Sequence, residues 1–226
     1  KMAENKQAPQ QDETLDNLNN SLTSAGEAIV KNSKMIGWCV GGVAVVALAI
    51  LAYIFFVQNP KEEKSIEAFN NVEATATTDS ASAVGYKKVA DEYGSTVGGN
   101  LAALAAGEAL YDEGKYEEAI KYLKEFDGKG DEAIEAGATC MIGDCYVNLK
   151  KYDEAISYFD KAIVAANGNG ALIPRFIDKK ATVFAAQKKY DKALECYETI
   201  KKDYPNYSAS YNVDAYIARE KARAGK

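Results

Sequence analysis

Lys115-Tyr116-Glu117-Glu118-Ala119-Ile120, Lys151-Tyr152-Asp153-Glu154-Ala155-Ile156 and Lys189-Tyr190-Asp191-Lys192-Ala193-Leu194 are three copies of one pattern. Successive copies start 36 (115 to 151) and 38 (151 to 189) residues apart. Periods of that size mark arrays of small helical units that bury their apolar faces only by stacking. Other positions recur in step. Gly107, Gly143 and Ala181 each lie twelve residues before Ala119, Ala155 and Ala193, and Leu123, Phe159 and Tyr197 follow those alanines by four. A small residue on each of two crossing helices lets them approach closely, and the large one fills the gap to the next unit.

This is the spacing of the tetratricopeptide repeat, a helix–turn–helix of about 34 residues. It predicts an all-α solenoid within residues 58–226, with full repeats at about 100–133, 136–169 and 174–207. Asp127-Gly128-Lys129-Gly130-Asp131 and Asn167-Gly168-Asn169-Gly170 take up the extra length as loops, and Tyr204-Pro205-Asn206 closes the third copy. A degenerate repeat precedes the array, its second helix carrying Tyr86, Val89 and Tyr93. A single capping helix over 208–224 is expected to follow.

Residues 35–57 run without a charge. About 20 apolar residues span a bilayer core of about 30 Å, so this segment is expected to be a transmembrane anchor. Trp38 and Tyr53 suit the two interfaces. The run is longer than a signal-peptide core and 34 residues precede it, so an uncleaved anchor is expected. Gly37, Gly41 and Ala44 form a small-residue face suited to close helix packing. Lys31 and Lys34 on one side balance Lys61 and Lys64 on the other, so flanking charge gives no orientation. Residues 1–34 form a polar tail in which Leu15, Leu18, Leu22, Ala25 and Ile29 make an amphipathic helical stripe. The stripe can lie on a membrane, dock a partner helix, or simply continue the anchor helix.

Composition narrows the chemistry. The chain has no histidine, which removes Ser-His-Asp and Cys-His catalysis and His-ligated metal sites. The net charge of −6 without a basic run argues against nucleic acid. Cys140 and Cys145 lie five residues apart on one predicted helix and point in different directions, so no pair forms between them, and the cysteines are expected to be inert thiols. Glu117-Glu118 and Asp153-Glu154 fall in the first turn of a helix, where anions suit the dipole, so they are not an acid/base pair. Tyr116, Tyr152 and Tyr190 recur at a fixed repeat position and are read as packing residues. No enzyme activity, cofactor or small-molecule substrate is expected.

The first helix of each repeat lines the concave face. The expected groove residues are Leu101, Leu104, Glu108, Tyr111 and Asp112 in the first copy, Cys140, Asp144, Val147 and Asn148 in the second, and Arg175, Asp178, Thr182 and Ala185 in the third. The mixture is apolar and acidic and lacks a cationic clamp for a peptide carboxylate. It suits an extended or helical segment carrying apolar and basic residues, unless the chain's own C-terminal helix fills it.

The order of polar tail, anchor and repeats, with the phrase Tyr93-Gly94-Ser95-Thr96-Val97-Gly98-Gly99-Asn100-Leu101-Ala102-Ala103-Leu104 leading into the first full repeat, resembles the YfgM-like proteins, ancillary subunits of the bacterial Sec translocon. The resemblance runs from about residue 15 to the end. It implies a single-pass protein of the bacterial inner membrane with a cytoplasmic N-terminus and a periplasmic repeat domain. The implied function is that of a protein-binding adaptor or chaperone-like subunit contacting the translocon, periplasmic chaperones or client polypeptides. The other reading is a scaffold for a different envelope assembly, such as outer-membrane or cell-wall machinery, without translocon contact.

Overall fold

The computed structural model describes residues 17, 20–23, 31, 33–76 and 78–226. Among them every regular element is helical: α1 (Ser33–Tyr53) with a π-helical turn at Ile54–Gln58, α2 (Asn59–Thr75), α3 (Asp79–Tyr93), α4 (Val97–Asp112), α5 (Tyr116–Glu125), α6 (Glu132–Asn148), α7 (Tyr152–Ala165), α8 (Ile173–Ala186), α9 (Tyr190–Asp203), α10 (Pro205–Ser210) and α11 (Val213–Ala224). The chain divides into two compact units, Lys1–Pro60 and Lys61–Lys226.

In the first unit every residue from 41 to 60 is exposed. Phe55, Phe56 and Val43 are more than two-thirds bare. Among the described residues, Gly41–Thr75 is the one helical run long and apolar enough to cross a membrane. Of the N-terminal stripe, Leu22 is exposed, and Leu15, Leu18, Ala25 and Ile29 lie outside the described residues.

In the second unit the helices pack as consecutive antiparallel pairs, α4 with α5, α6 with α7 and α8 with α9. The pairing follows from the small residues. A Cβ on Gly107 would stand 2.5 Å from Leu123 Cγ, and one on Gly143 would stand 2.6 Å from Phe159 Cε1. In the third pair Ala181 and Tyr197 are both buried. The large residue, expected to fill the gap to the next unit, instead sits on the small residue of its own repeat, directly on Gly107 and Gly143 in the first two.

The turn inside each repeat has one geometry. Gly114, Lys150 and Lys188 occupy equivalent places with φ of 76°, 58° and 59°. The residue after each donates its N–H five residues back: Lys115 to Leu110 O, Lys151 to Tyr146 O and Lys189 to Phe184 O, at 2.8–2.9 Å. This is the six-to-one bond of a helix C-cap that wants glycine. Only the first repeat supplies one. A left-handed lysine costs about 1–2 kcal/mol, part of which glycine's greater unfolded-state freedom offsets. Lys150→Gly is therefore expected to raise the melting temperature by about 2 °C, and Gly114→Ala to lower it by a similar amount. Circular dichroism melts check both, and no shift in either would contradict a strained turn.

The phrase before the first full repeat has a structural reason. Thr96 caps α4 by accepting from Gly99 N–H at 3.1 Å. Glu62 Oε2 accepts from Val97 N–H at 2.8 Å, and Ser65 Oγ from Gly98 N–H at 3.3 Å. The start of α2 thus satisfies the free amides of α4. A Cβ on Gly98 would lie 2.3 Å from the Ser65 backbone, so the contact requires glycine. Asn100 fixes the next loop by exchanging two 2.8 Å hydrogen bonds with the Asp127 backbone.

At the C-terminus two helices form where one was expected. Pro205 opens α10, and Asn212, at φ 50° and ψ 49°, breaks the chain before α11. A residue in the left-handed region cannot continue a right-handed helix.

Candidate functional site

The first helices α4, α6 and α8 bring the predicted groove residues together in three groups. At the N-terminal end Leu104, Glu108 and Asp112 of α4 line a cleft of ≈ 370 Å³ with Phe69 and Glu73 of α2 and Ser82 and Tyr86 of α3. Phe69 and Tyr86 form its aromatic wall, ring centroids 5.4 Å apart. Burial, and then the neighbouring Asp112, hold the Glu108 carboxyl above its usual range. Among the described residues no Lys or Arg pairs with Glu73, Glu108 or Asp112, so the cleft carries uncompensated negative charge beside an apolar wall. Leu101 is exposed on the same helix but outside this cleft.

The central group crosses three helices. Asn148 Nδ2 donates to Tyr111 Oη at 3.5 Å. Lys179 Nζ donates to both Asp144 oxygens at 2.9 Å. The Asp144 side chain is only 23% exposed, so the pair is shielded from solvent on the acid side. Burial raises the Asp144 carboxyl, with Lys179 opposing. For Lys179 burial acts downward, but the Asp144 charge and hydrogen bond outweigh it and raise the ammonium. Val147 is half-buried against the second repeat's core.

The third group lies under the C-terminal cap. Asp178 is half-buried, and burial raises its carboxyl against the Tyr197 and Tyr207 hydroxyls and the Lys179 and Arg219 charges. Tyr207 belongs to α10 and Arg219 to α11, so the chain's own end covers this part of the face. Arg175 stays exposed one turn before it, as does Thr182 one turn after. The groove is therefore open at α4 and α6 and self-covered near Asp178.

One expectation about the groove is corrected. Cys140 is not a groove residue: it is 4% exposed, and burial pushes its thiol up to about 12. It packs with Ala136 and Phe159, on the inward side of α6. Lys179 joins Arg175 as a second cation on the groove side of α8, and it is engaged by Asp144. Sequence reasoning did not place Lys179, Phe69, Glu73 or Tyr86 on the groove face. The signal for Lys179 was its place four residues after Arg175, on the same side of α8.

The other features fall into structural roles. All four cysteines are free, and burial holds Cys145 near 12 and Cys196 near 11, far from a reactive thiolate. Glu118 binds Lys87 at 2.5 Å and Asp153 accepts from Gln187 at 3.1 Å, so the first-turn acids tie neighbouring helices together. Tyr116 packs edge-on to Tyr111 at 5.5 Å, and Tyr152 and Tyr190 are half-buried. In the first unit Gly41 has open space where a Cβ would stand, and Ala44 is exposed. The surroundings of Gly37 lie outside the described residues.

Residues 30–213 match the family model described as tetratricopeptide repeat-like domain. The chain belongs to that family. As in any tetratricopeptide repeat-like domain, stacked helix pairs present a continuous face, the surface on which proteins meet proteins. A search of curated proteins gave no significant match. Among solved structures, one crystal structure of MamA protein is similar at 21% identity and a TM-score of 0.55, covering 74% of this chain and 84% of that one. A second crystal structure of MamA is similar at 24% identity and a TM-score of 0.51, covering 65% and 79%. These likenesses establish the repeat fold.

Proposed function

We propose that the protein is a membrane-anchored adaptor of the bacterial inner membrane, with its repeat domain in the periplasm and its N-terminus in the cytoplasm. The exposed apolar helix around residues 35–57 holds it in the lipid bilayer. The open part of the first-helix face, Leu104, Glu108, Tyr111, Asp112 and Asn148, receives a protein segment carrying apolar and basic residues. The carrying observation is the acidic, aromatic-walled cleft at α2–α4, whose negative charge has no Lys or Arg partner among the described residues. A cationic segment gains there both charge complementarity and apolar burial. The resemblance to the YfgM-like proteins favours Sec translocon subunits, periplasmic chaperones or translocating clients as the partners. Gly37, Gly41 and Ala44 are proposed as the face on which the anchor packs against another membrane helix.

Affinity capture of the full chain in mild detergent, followed by mass spectrometry, tests this reading. Translocon subunits are expected with the native chain and depleted with a groove variant. Recovery of outer-membrane or cell-wall machinery alone, equally with both, would favour a scaffold at a different assembly. Protease added to spheroplasts should degrade the repeat domain; protection of that domain would overturn the orientation.

A further inference from the structure

The internal repeats act as controls for one another, and one position breaks their rule. Tyr122 of α5 and Tyr158 of α7 are equivalent, 36 residues apart, and the next equivalent, 38 further on, is Cys196 of α9. Tyr122 is 3% exposed and accepts the ammoniums of Lys87 and Lys121 around its ring, at 6.0 and 4.5 Å. Tyr158 packs on Tyr146 of the preceding helix with centroids 5.3 Å apart. Lys161 and Lys124 lie 4.3 and 5.5 Å from the Tyr158 ring. In the third repeat Phe184 stands where Tyr146 stood, but the ring that should lie on it is absent, because cysteine is too small.

The consequence is a cleft of ≈ 410 Å³ between α7, α8 and α9. Ile163, Ile177 and Phe184 give it an apolar floor, with Cys196 at its side. Lys180 and Lys192 lie 5.8 and 5.5 Å from the Phe184 centroid. Lys180 is held by Asp160 at 2.6 Å. Lys192 is different: among the described residues no carboxylate lies within 4.0 Å of its Nζ, although Glu195 also lines the cleft. The place of one aromatic ring is thus vacant, framed by two cations, one of them without an ionic partner among the described residues. A pocket of this size with an apolar lining and a few directed polar groups is suited to specific recognition.

We propose that this cleft receives an aromatic side chain from a protein partner, presented beside a carboxylate. The ring lies on Phe184 in the position that Tyr158 fills one repeat earlier. The neighbouring carboxylate reaches Lys192. The ring's faces and the two ammoniums reproduce the cation–π arrangement that the chain already uses at Tyr122 and Tyr158. This site lies on the second-helix side of the array and stands independently of the groove on α4 and α6.

The test uses the full chain in lipid nanodiscs with 13C-methyl-labelled isoleucine. The probe is a blocked glycine–serine heptapeptide with one phenylalanine between two aspartates. Saturable shifts of the Ile163 and Ile177 methyl signals are expected. Replacing the probe's phenylalanine with alanine should weaken binding about tenfold or more, as should Lys192→Glu, which alters an exposed side chain without touching the floor. Cys196→Tyr should abolish the shifts while leaving the melting temperature equal or higher, since its ring fills the cleft from within. Lys192→Glu keeps the test decisive if Cys196→Tyr fails to fold. Absence of shifts at millimolar probe, equal binding of the alanine probe, or unaltered binding by folded Lys192→Glu would each overturn the proposal.

Discussion

Gly143→Leu is expected to lower the melting temperature of the full chain by about 10 °C and to melt the middle repeat first. Even a single Cβ there would meet the Phe159 ring at 2.6 Å. That ring is completely buried and has nowhere to go. Overpacking a filled core costs on the order of 3 kcal/mol, and a domain of this size loses about 2–4 °C per kcal/mol. Because each unit touches only its neighbours, the damage stays local: α6 and α7 lose protection before the helices on either side. Hydrogen exchange along the chain resolves this. Uniform loss of protection, or an unchanged melt, would contradict the crossing assigned to Gly143 and Phe159.

The largest functional effect is expected from Glu108→Lys with Asp112→Lys. Both side chains are exposed on α4 and neither is in an ion pair among the described residues, so helicity should be preserved. Reversing both places like charges against a basic segment, which costs about 2 kcal/mol or more, roughly a thirtyfold loss of affinity. Native binding should weaken with added salt, because these carboxylates are solvent-accessible. It should also weaken on acidification. The Glu108 carboxyl is raised, so it takes up its proton at a higher pH than an ordinary glutamate and loses its attraction for a cation earlier. Binding measured across salt and pH that is flat in both would argue against a charge-guided groove. Asp144→Lys is the poorer probe, since it would set two ammoniums against each other where Asp144 now holds Lys179.

What could be read from the sequence divides along physical lines. The repeat register was legible because close packing enforces it: glycine recurs at 107 and 143 only where a second helix leaves no room for a side chain, and Leu123 and Phe159 recur because they fill that contact. Surface pairing follows no such rule. The Asp144–Lys179 bridge joins neighbouring repeats through side chains that are not equivalent, so no recurrence marks it. Cys140 was placed outward by counting along one helix, but its burial depends on Ala136 and Phe159 closing over it. The aromatic wall of the cleft comes from α2 and α3, where the repeat has decayed and its register gives no guide to which side chains face the groove. The split of the C-terminal cap rests on one backbone angle at Asn212. The vacancy at Cys196 was visible in the sequence as a missing tyrosine, but its meaning required the cations around Phe184.

The most direct measurement of the central reading is site-specific photo-crosslinking in living cells, with a benzophenone amino acid placed at Glu108 and, in a second strain, at Lys121. Glu108 lies on the first helix of the first full repeat and Lys121 on its second. If the α2–α4 cleft receives a partner, Glu108 yields a discrete protein adduct that disappears when Asp112 is also changed to lysine. An adduct from Lys121 with none from Glu108 would place recognition on the opposite side of the array and contradict the account.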